Sequence, residues 1–282
     1  MTHSLAKETG VAIDAAREAA RIILSVYQSD FGVERKSRDE PVTEADRRAN
    51  TLLVERLAAA FPEDGIVAEE SVPTEQLLAE QVRRDRVWFV DPLDGTKEFI
   101  ARNGEFAVMV GLCVKARPVL GVVAQPATGE IAIGVVGEGA WLVDSDGART
   151  ALRVSEQTCL GACTVLISRS HVSPTHQRIV DALQPAMRVP CGSVGVKISR
   201  IAQRQADVYI NPPQPHGSKL WDGCAPEAIL VAAGGRVTGF SGELIRYDTT
   251  HLDLSDGFLA SNGPLHDEVL AIASGVLGAP QR

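Results

Sequence analysis

Apolar and polar positions alternate with a helical period at the start of the chain and a strand-like period in the middle. From Val11 to Tyr27, Ala15, Ala16, Ala19, Ala20, Ile23 and Val26 recur at helical spacing, with Arg17, Glu18 and Arg21 as the wet face. A charged segment from Glu34 to Glu40 follows. A second helix is expected from Thr43, whose hydroxyl can cap it, through Leu52, Leu53 and Leu57 to Phe61-Pro62. The pattern then shortens to strands over Val87 to Val90, Ala107 to Lys115, Val119 to Gln125, Glu130 to Val136 and Ala140 to Val143. Turns at Ala116-Arg117-Pro118 and Ala127-Thr128-Gly129 predict antiparallel hairpins.

Past Arg149 the pattern alternates. Strands are expected at Thr164 to Ile167, Asp207 to Ile210 and Phe258 to Ser261. Helices are expected at Ser173 to Leu183, Val194 to Arg204, Pro226 to Ala233 and His266 to Leu277. The chain thus reads as an α+β part over residues 1–149, with an antiparallel sheet and the acidic motifs, and an α/β part over residues 150–282. No repeat or long linker separates them.

Composition narrows the partners. A chain of 282 residues that is 45% hydrophobic is globular, and its net charge of −8 argues against a nucleic-acid polymer. Five cysteines, an odd number without a Cys-x-x-Cys pair, suit free thiols in a reducing compartment. Met1 to Gly10 lacks a signal-peptide pattern, and the apolar run Phe106 to Val114 is far shorter than the roughly 20 residues a membrane span needs. A cytoplasmic protein that binds no membrane is expected.

The chemistry concentrates at Trp88-Phe89-Val90-Asp91-Pro92-Leu93-Asp94-Gly95-Thr96. Two close carboxylates repel, and a fold that gathers them usually does so around a cation. The Gly-Thr that follows can open a helix, whose free N–H groups hold anions. Further acidic groups sit at the edges of structured segments: Asp46, Glu69-Glu70 and Asp222. Glu69, Asp91, Asp94 and Asp222 are enough to hold hard cations such as Mg²⁺, which can activate a water and steady a leaving oxygen. Taken singly, Asp222 and Asp46 also read as helix-terminus residues, and Glu69-Glu70 as a solvated pair.

These motifs resemble the inositol monophosphatase superfamily of metal-dependent, lithium-sensitive phosphatases. The hallmark Asp-Pro-apolar-Asp-Gly-Thr is complete at Asp91 to Thr96, with Glu69-Glu70 upstream and Trp221-Asp222 downstream. The resemblance covers almost the whole chain and implies a layered αβαβα sandwich with the site between its halves. It implies Mg²⁺, as two or three ions, on Glu69, Asp91, Asp94, Asp222 and the carbonyl of Leu93. It further implies Thr96 paired with Asp46 to orient and deprotonate the attacking water, Glu69 acting beside them, and the amides of Gly95 and Thr96 holding the phosphate.

Within the superfamily, Lys97-Glu98-Phe99, Ser168-Arg169-Ser170-His171, Gly192-Ser193-Val194-Gly195-Val196-Lys197 and Cys224-Ala225-Pro226-Glu227-Ala228 resemble the 3'(2'),5'-bisphosphate nucleotidase branch. The implied substrate is 3'-phosphoadenosine 5'-phosphate, bound by Asp94, Gly95, Thr96, Ser193, Lys197 and Asp222. Lys197, near a helix start, could serve the second phosphate. The alternative is an inositol phosphatase acting on inositol 1-phosphate. Glu40, Ala68 and Gly223 depart from the family pattern without removing a proposed ligand. His171, His216 and Lys97 receive no role, and a homodimer is left open.

Overall fold

The structure is a computed structural model and describes residues 4–35, 41–170, 172–214 and 217–278. Glu40, His171 and His216 lie outside the described residues. Among those described, no helix is long and apolar enough to cross a membrane.

Helix α1 spans Ala6–Tyr27, starting ahead of the expected Val11. Tertiary bonds hold this added turn: Arg86 Nη2 donates to Glu8 at 2.8 Å, and Lys7 Nζ to the Ala60 carbonyl at 3.2 Å. Short strands β1 (Val33–Arg35) and β2 (Pro41–Thr43) pair antiparallel and lead into α2 (Glu44–Ala60). Thr43 caps α2 as expected, in a capping box closed by Asp46.

The first sheet contains β3 (Gly65–Ala68), then, after α3 (Glu75–Val82), β4 (Arg86–Asp94), and, after α4 (Thr96–Ile100), β5 (Ala107–Val114). It continues with β6 (Arg117–Gln125), β7 (Glu130–Val135), β8 (Gly139–Val143) and β9 (Arg149–Leu152), all seven in chain order. Only β3 and β4 pair in parallel; the rest form an antiparallel meander. The β5–β6 turn falls at Lys115 and Ala116, with φ of 48° and 61°, so Arg117 and Pro118 belong to β6. A two-residue hairpin loop needs both residues left-handed to match the strand twist, which places it ahead of the expected turn.

The second sheet uses β10 (Thr164–Ser168), α5 (Pro174–Leu183), β11 (Met187–Cys191), α6 (Val194–Ala202) and β12 (Val208–Asn211). Then come α7 (Leu220–Ala232), β13 (Arg236–Thr238), β14 (Phe258–Ser261) and α8 (His266–Gly278). The strand order is β11-β10-β12-β14-β13, parallel at β10 and antiparallel around β14. Helix α7 begins at Leu220 rather than at Pro226, which lies inside it. Proline in the first turn is the commoner arrangement. Here Asp222 supplies the start signal instead, accepting from the Lys219 N–H at 2.7 Å.

Alternation along β4 shows how the layers stack. Trp88 and Val90 face α1 and α2, while Val87 and Phe89 face α6 and α7. The second sheet presents Leu166, Tyr209 and Ala260 to α6 and α7, and Val165, Ile210 and Leu259 to α5 and α8. The result is a helix–sheet–helix–sheet–helix sandwich.

A row of glycines seats α7. Gly111 pairs with Gly121, and Gly121 with Gly134, across three neighbouring strands. A Cβ on Gly121 would lie 2.1 Å from the Ala225 carbonyl oxygen, and one on Gly134 would lie 2.4 Å from the Ile229 Cα. Without side chains, the sheet admits the helix backbone itself. This close seating carries Asp222 towards the end of β4.

Candidate active site

In a regular strand, residues three apart point to opposite faces, so Asp91 and Asp94 would part. The β4–β5 register prevents that. Asp91 pairs with Met109 but Asp94 pairs with Ala107, so β4 carries an extra residue between them. Pro92 lies in this bulge, where its missing N–H costs no ladder bond. With the parity reset, one carboxylate oxygen each from Asp91, Asp94 and Asp222 lie within 4.8 Å of one another.

Backbone groups fix each of these carboxylates. Asp91 Oδ1 accepts from the Leu93 N–H at 2.9 Å. Asp94 Oδ2 accepts from the Gly195 N–H at 2.9 Å and the Ser193 hydroxyl at 2.5 Å. Asp222 Oδ2 accepts from the Lys219 N–H at 2.7 Å. Asp222 also stands at the positive end of α7, as Asp94 does at that of α6. The helix-terminus reading of Asp222 and its place in the cluster are therefore both true.

The charges remain unbalanced. Burial first, then the charges of Glu69, Asp94 and Asp222, push Asp91 well above the usual carboxylate range. Burial, with Asp94 and Glu69, raises Asp222 to about 8, while its bond from Lys219 opposes the shift. Burial also raises Asp94, against the Ser193 bond and the nearby Lys197 charge. Such a cluster either keeps protons or exchanges them for a cation, and an all-oxygen donor set suits a hard divalent ion. Glu69 stands outside the 4.8 Å group but lines the same cavity and acts on Asp91 and Asp222 by its charge. Glu70 lies towards Arg47, whose charge it supports.

Asp46, buried in the first turn of α2, holds Thr43 with one oxygen and Thr96 with the other. Its Oδ2 accepts from the Thr43 hydroxyl at 2.6 Å, and its Oδ1 from the Thr96 hydroxyl at 3.2 Å. Thr96 Oγ1 also lies 3.2 Å from the Leu93 carbonyl, so one hydroxyl proton has two acceptors. Burial raises Asp46, and these hydrogen bonds pull it back. Gly95 begins α4 at φ 91°, where a Cβ would also meet the Glu105 carbonyl at 3.0 Å.

The cavity holds about 650 Å³, ample for a nucleotide-sized ligand. Helix α6 forms one side. Ser193, its cap, sits at φ 51°, an uncommon conformation for a residue with a side chain, and also accepts from the Val196 N–H at 3.1 Å. Lys197 is 2% exposed and is no surface lysine. Its Nζ donates to the Ser193 carbonyl at 3.0 Å and lies 4.8 Å from the Tyr209 ring centroid. Burial lowers its pKa, and Asp94 opposes that. Lys97 lines the cavity but is exposed. Glu98, quoted above only as part of Lys97-Glu98-Phe99, also lines the cavity, and sequence reasoning missed His176, Tyr209, Asn211, Ser218 and Lys219 in its wall. None of these five carries a local motif that marks it.

The sequence model of the inositol monophosphatase family matches residues 4–276. The chain belongs to the inositol monophosphatase family. It is 36% identical over 249 residues to the 3'(2'),5'-bisphosphate nucleotidase CysQ of Salmonella typhimurium, covering 86% of this chain and 95% of that one. It is 31% identical over 282 residues to 3'(2'),5'-bisphosphate nucleotidase 1 of Dictyostelium discoideum, covering 88% and 89%. The solved structure of CysQ from Bacteroides thetaiotaomicron, at 31% identity, superposes with a TM-score of 0.73 over 90% of this chain and 96% of that one. The IMPase of Thermotoga maritima, at 26% identity, gives 0.79 over 94% and 96%. The protein is thus a phosphatase of the inositol monophosphatase family, and its site is an acidic cluster able to hold a metal.

Proposed function

We propose that this enzyme is a Mg²⁺-dependent phosphomonoesterase that hydrolyses the 3'-phosphate of 3'-phosphoadenosine 5'-phosphate to AMP and phosphate. The names of its curated relatives support the substrate. The observation that carries the chemistry is the trio of carboxylates converging within 4.8 Å beside a cavity that also contains a buried lysine. Glu69, Asp91, Asp94, Asp222 and the Leu93 carbonyl would hold the ions, two or three in number. Bound Mg²⁺ lowers the pKa of water and neutralises charge on the phosphate oxygens.

The remaining steps belong to the chain. Thr96 Oγ1 gives its proton to Asp46 and accepts one from the attacking water, so Asp46 serves as general base through the hydroxyl. Glu69, on the same cavity wall, orients that water. The amides of Gly95 and Thr96 hold the phosphate being cleaved. Ser193 acts by fixing Asp94, and the two N–H groups of Lys197 not given to Ser193 serve the second phosphate. Water attacks in line, and no side chain becomes phosphorylated. The five cysteines are free thiols, which fits a cytoplasmic enzyme.

A substrate panel with phosphate detection tests this reading, run with Mg²⁺ and then with added Li⁺. The bisphosphate nucleotide should have the highest kcat/KM, Li⁺ should inhibit, and Asp94→Asn should abolish turnover. A strong preference for inositol 1-phosphate would replace the substrate, leaving the reaction intact. Near-normal turnover by Asp94→Asn would end the metal-site assignment.

A further inference from the structure

Glu105 stands in the loop between α4 and β5, in the first half of the chain, yet its carboxylate reaches into the second half. Oε2 accepts from the Gly192 N–H at 2.7 Å and from Arg169 Nε at 2.8 Å, and Oε1 accepts from Arg169 Nη2 at 3.0 Å. Arg200 adds a longer contact at 3.4 Å. Burial works to raise the Glu105 pKa, but the bonds from Arg169 and Gly192 and the charges of Arg169 and Arg200 outweigh it. The group is therefore ionised at neutral pH, and a backbone N–H held by an ionised carboxylate makes a strong hydrogen bond.

What Glu105 holds is the residue before Ser193. Ser193 sits at φ 51°, a conformation that residues with a side chain keep only when their surroundings impose it. From it the Ser193 hydroxyl donates to Asp94 at 2.5 Å, and the Ser193 carbonyl accepts from Lys197 Nζ at 3.0 Å. Arg169 Nη2 also donates to the Pro190 carbonyl at 3.0 Å, so the backbone leading into Ser193 is gripped at Pro190 and at Gly192. The Arg169 side chain is 43% exposed, and its ion pair with Glu105 contributes little by itself. The bond to Gly192 is the one with a consequence for the site.

We propose that Glu105 is a positioning residue for the acidic cluster: by holding the Gly192 N–H it keeps Ser193 in the conformation from which the hydroxyl fixes Asp94. The role rests on the reading of Asp94 as a metal ligand given above. Without the bond, the Gly192–Ser193 turn relaxes towards an ordinary negative φ and the hydroxyl leaves Asp94. Groups that orient a metal ligand change metal affinity by about tenfold to a hundredfold, and Glu105, one step further away, changes it by about threefold to tenfold.

Two variants separate this role from that of a plain ion pair. Glu105→Gln keeps an oxygen for Gly192 but loses the charge, whereas Glu105→Asp keeps the charge but is a methylene too short to reach Gly192. The Mg²⁺ concentration that gives half of the full rise in melting temperature reads metal affinity without turnover. Turnover of 3'-phosphoadenosine 5'-phosphate at a fixed Mg²⁺ concentration below saturation is measured beside it. Glu105→Asp should need about threefold to tenfold more Mg²⁺ and lose turnover to a similar extent, while Glu105→Gln stays within about twofold of wild type. In a Ser193→Ala background, itself about tenfold weaker for Mg²⁺, Glu105→Asp should cost less than about twofold more, because its effect passes through the missing hydroxyl. The opposite order, with Glu105→Gln the worse variant, overturns the proposal, and so does an undiminished further loss in the Ser193→Ala background. A lowered melting temperature for Glu105→Asp with unchanged Mg²⁺ dependence and turnover overturns it too. A wild-type melting temperature that ignores Mg²⁺, together with near-normal turnover by Asp94→Asn, overturns the metal reading and this role with it.

Discussion

The acidic cluster and the α5–α6 wall face one cavity but are held in different ways. Asp91 and Asp94 come from a single strand end, and each is tied to a backbone N–H, as is Asp222 across the sandwich. Lys197 and His176 come from separate helices of the second half, and the His176 ring leans on no backbone bond at Nε2. Charges that repel need such backbone anchors, because like carboxylates left on free side chains would swing apart. The recognition wall needs only to be dry and shaped. Its residues can therefore change with the substrate while the reacting end stays as it is.

The largest test strikes the acidic end. Asp91→Asn keeps the bond from Leu93 but removes a charge, and kcat should fall on the order of a thousandfold. The metal-free variant should also melt higher than wild type, since one source of buried repulsion is gone. Calorimetry in EDTA beside a turnover assay reads both. If the variant turned over normally, the two walls would no longer differ in function.

Thr96→Val comes next. Without the hydroxyl between Asp46 and the site, kcat should drop about a hundredfold with little change in KM. A rise in KM alone would move Thr96 to substrate binding.

On the other wall, Lys197→Ala should cost about tenfold to a hundredfold in kcat/KM on the bisphosphate, mostly in KM, with a smaller loss on a monophosphate. The exposed Lys97 gives the control, and Lys97→Ala should cost at most about threefold. Equal losses on both substrates for Lys197→Ala would make that lysine a packing residue.

The smallest effect is in stability. Without metal, Asp222 binds its proton up to about 8 when folded, against 3.8 otherwise. The folded state then holds more protons than the unfolded chain, so stability is lost as pH rises through that range. His176 and His266, both lowered to about 4, work in the opposite direction and lose stability as pH falls below 6.5. Above about pH 7 the carboxylates set the slope first; nearer pH 9 the buried thiols of Cys163 and Cys191, pushed up to about 11, add to it, and the lowered pKa of buried Lys197 opposes it. The melting temperature in EDTA should fall by roughly 2–4 °C per kcal/mol lost between pH 7 and 9, and excess Mg²⁺ should flatten the curve. A flat curve in EDTA would mean the cluster carries no strain from its charges.

Much of the fold was legible where the local signals agreed. Thr43 capping α2, the β5 to β8 meander and β14 follow from caps and alternation that packing reinforces. The strands β1, β11 and β13 escaped because charged residues (Glu34 and Arg35, Arg188, Arg236) break runs of only three to five residues, whereas the equally short β10, β12 and β14 are mostly apolar. Pro226 misled for a different reason, since its preference for a first turn was outweighed by the Asp222 cap earlier in the chain. In the site, Asp91 to Thr96 could be read because they are contiguous. The hydrogen bond of Thr96 to Asp46 was expected from resemblance, whereas the burial of Lys197 and the orphaned Nε2 of His176 had no local sign.

By itself the sequence determined the acidic strand end, the glycine and threonine after it, the helix caps and the order of strands and helices in the two halves, because each depends on neighbours within a few residues. Tertiary structure decided the rest. An extra residue in β4 turned two carboxylates to the same face, and a glycine row let α7 sink onto the sheet with Asp222 at its tip. Both depend on how partners from distant parts of the chain register and pack, and repulsion between charges can be held in place only once that packing has formed.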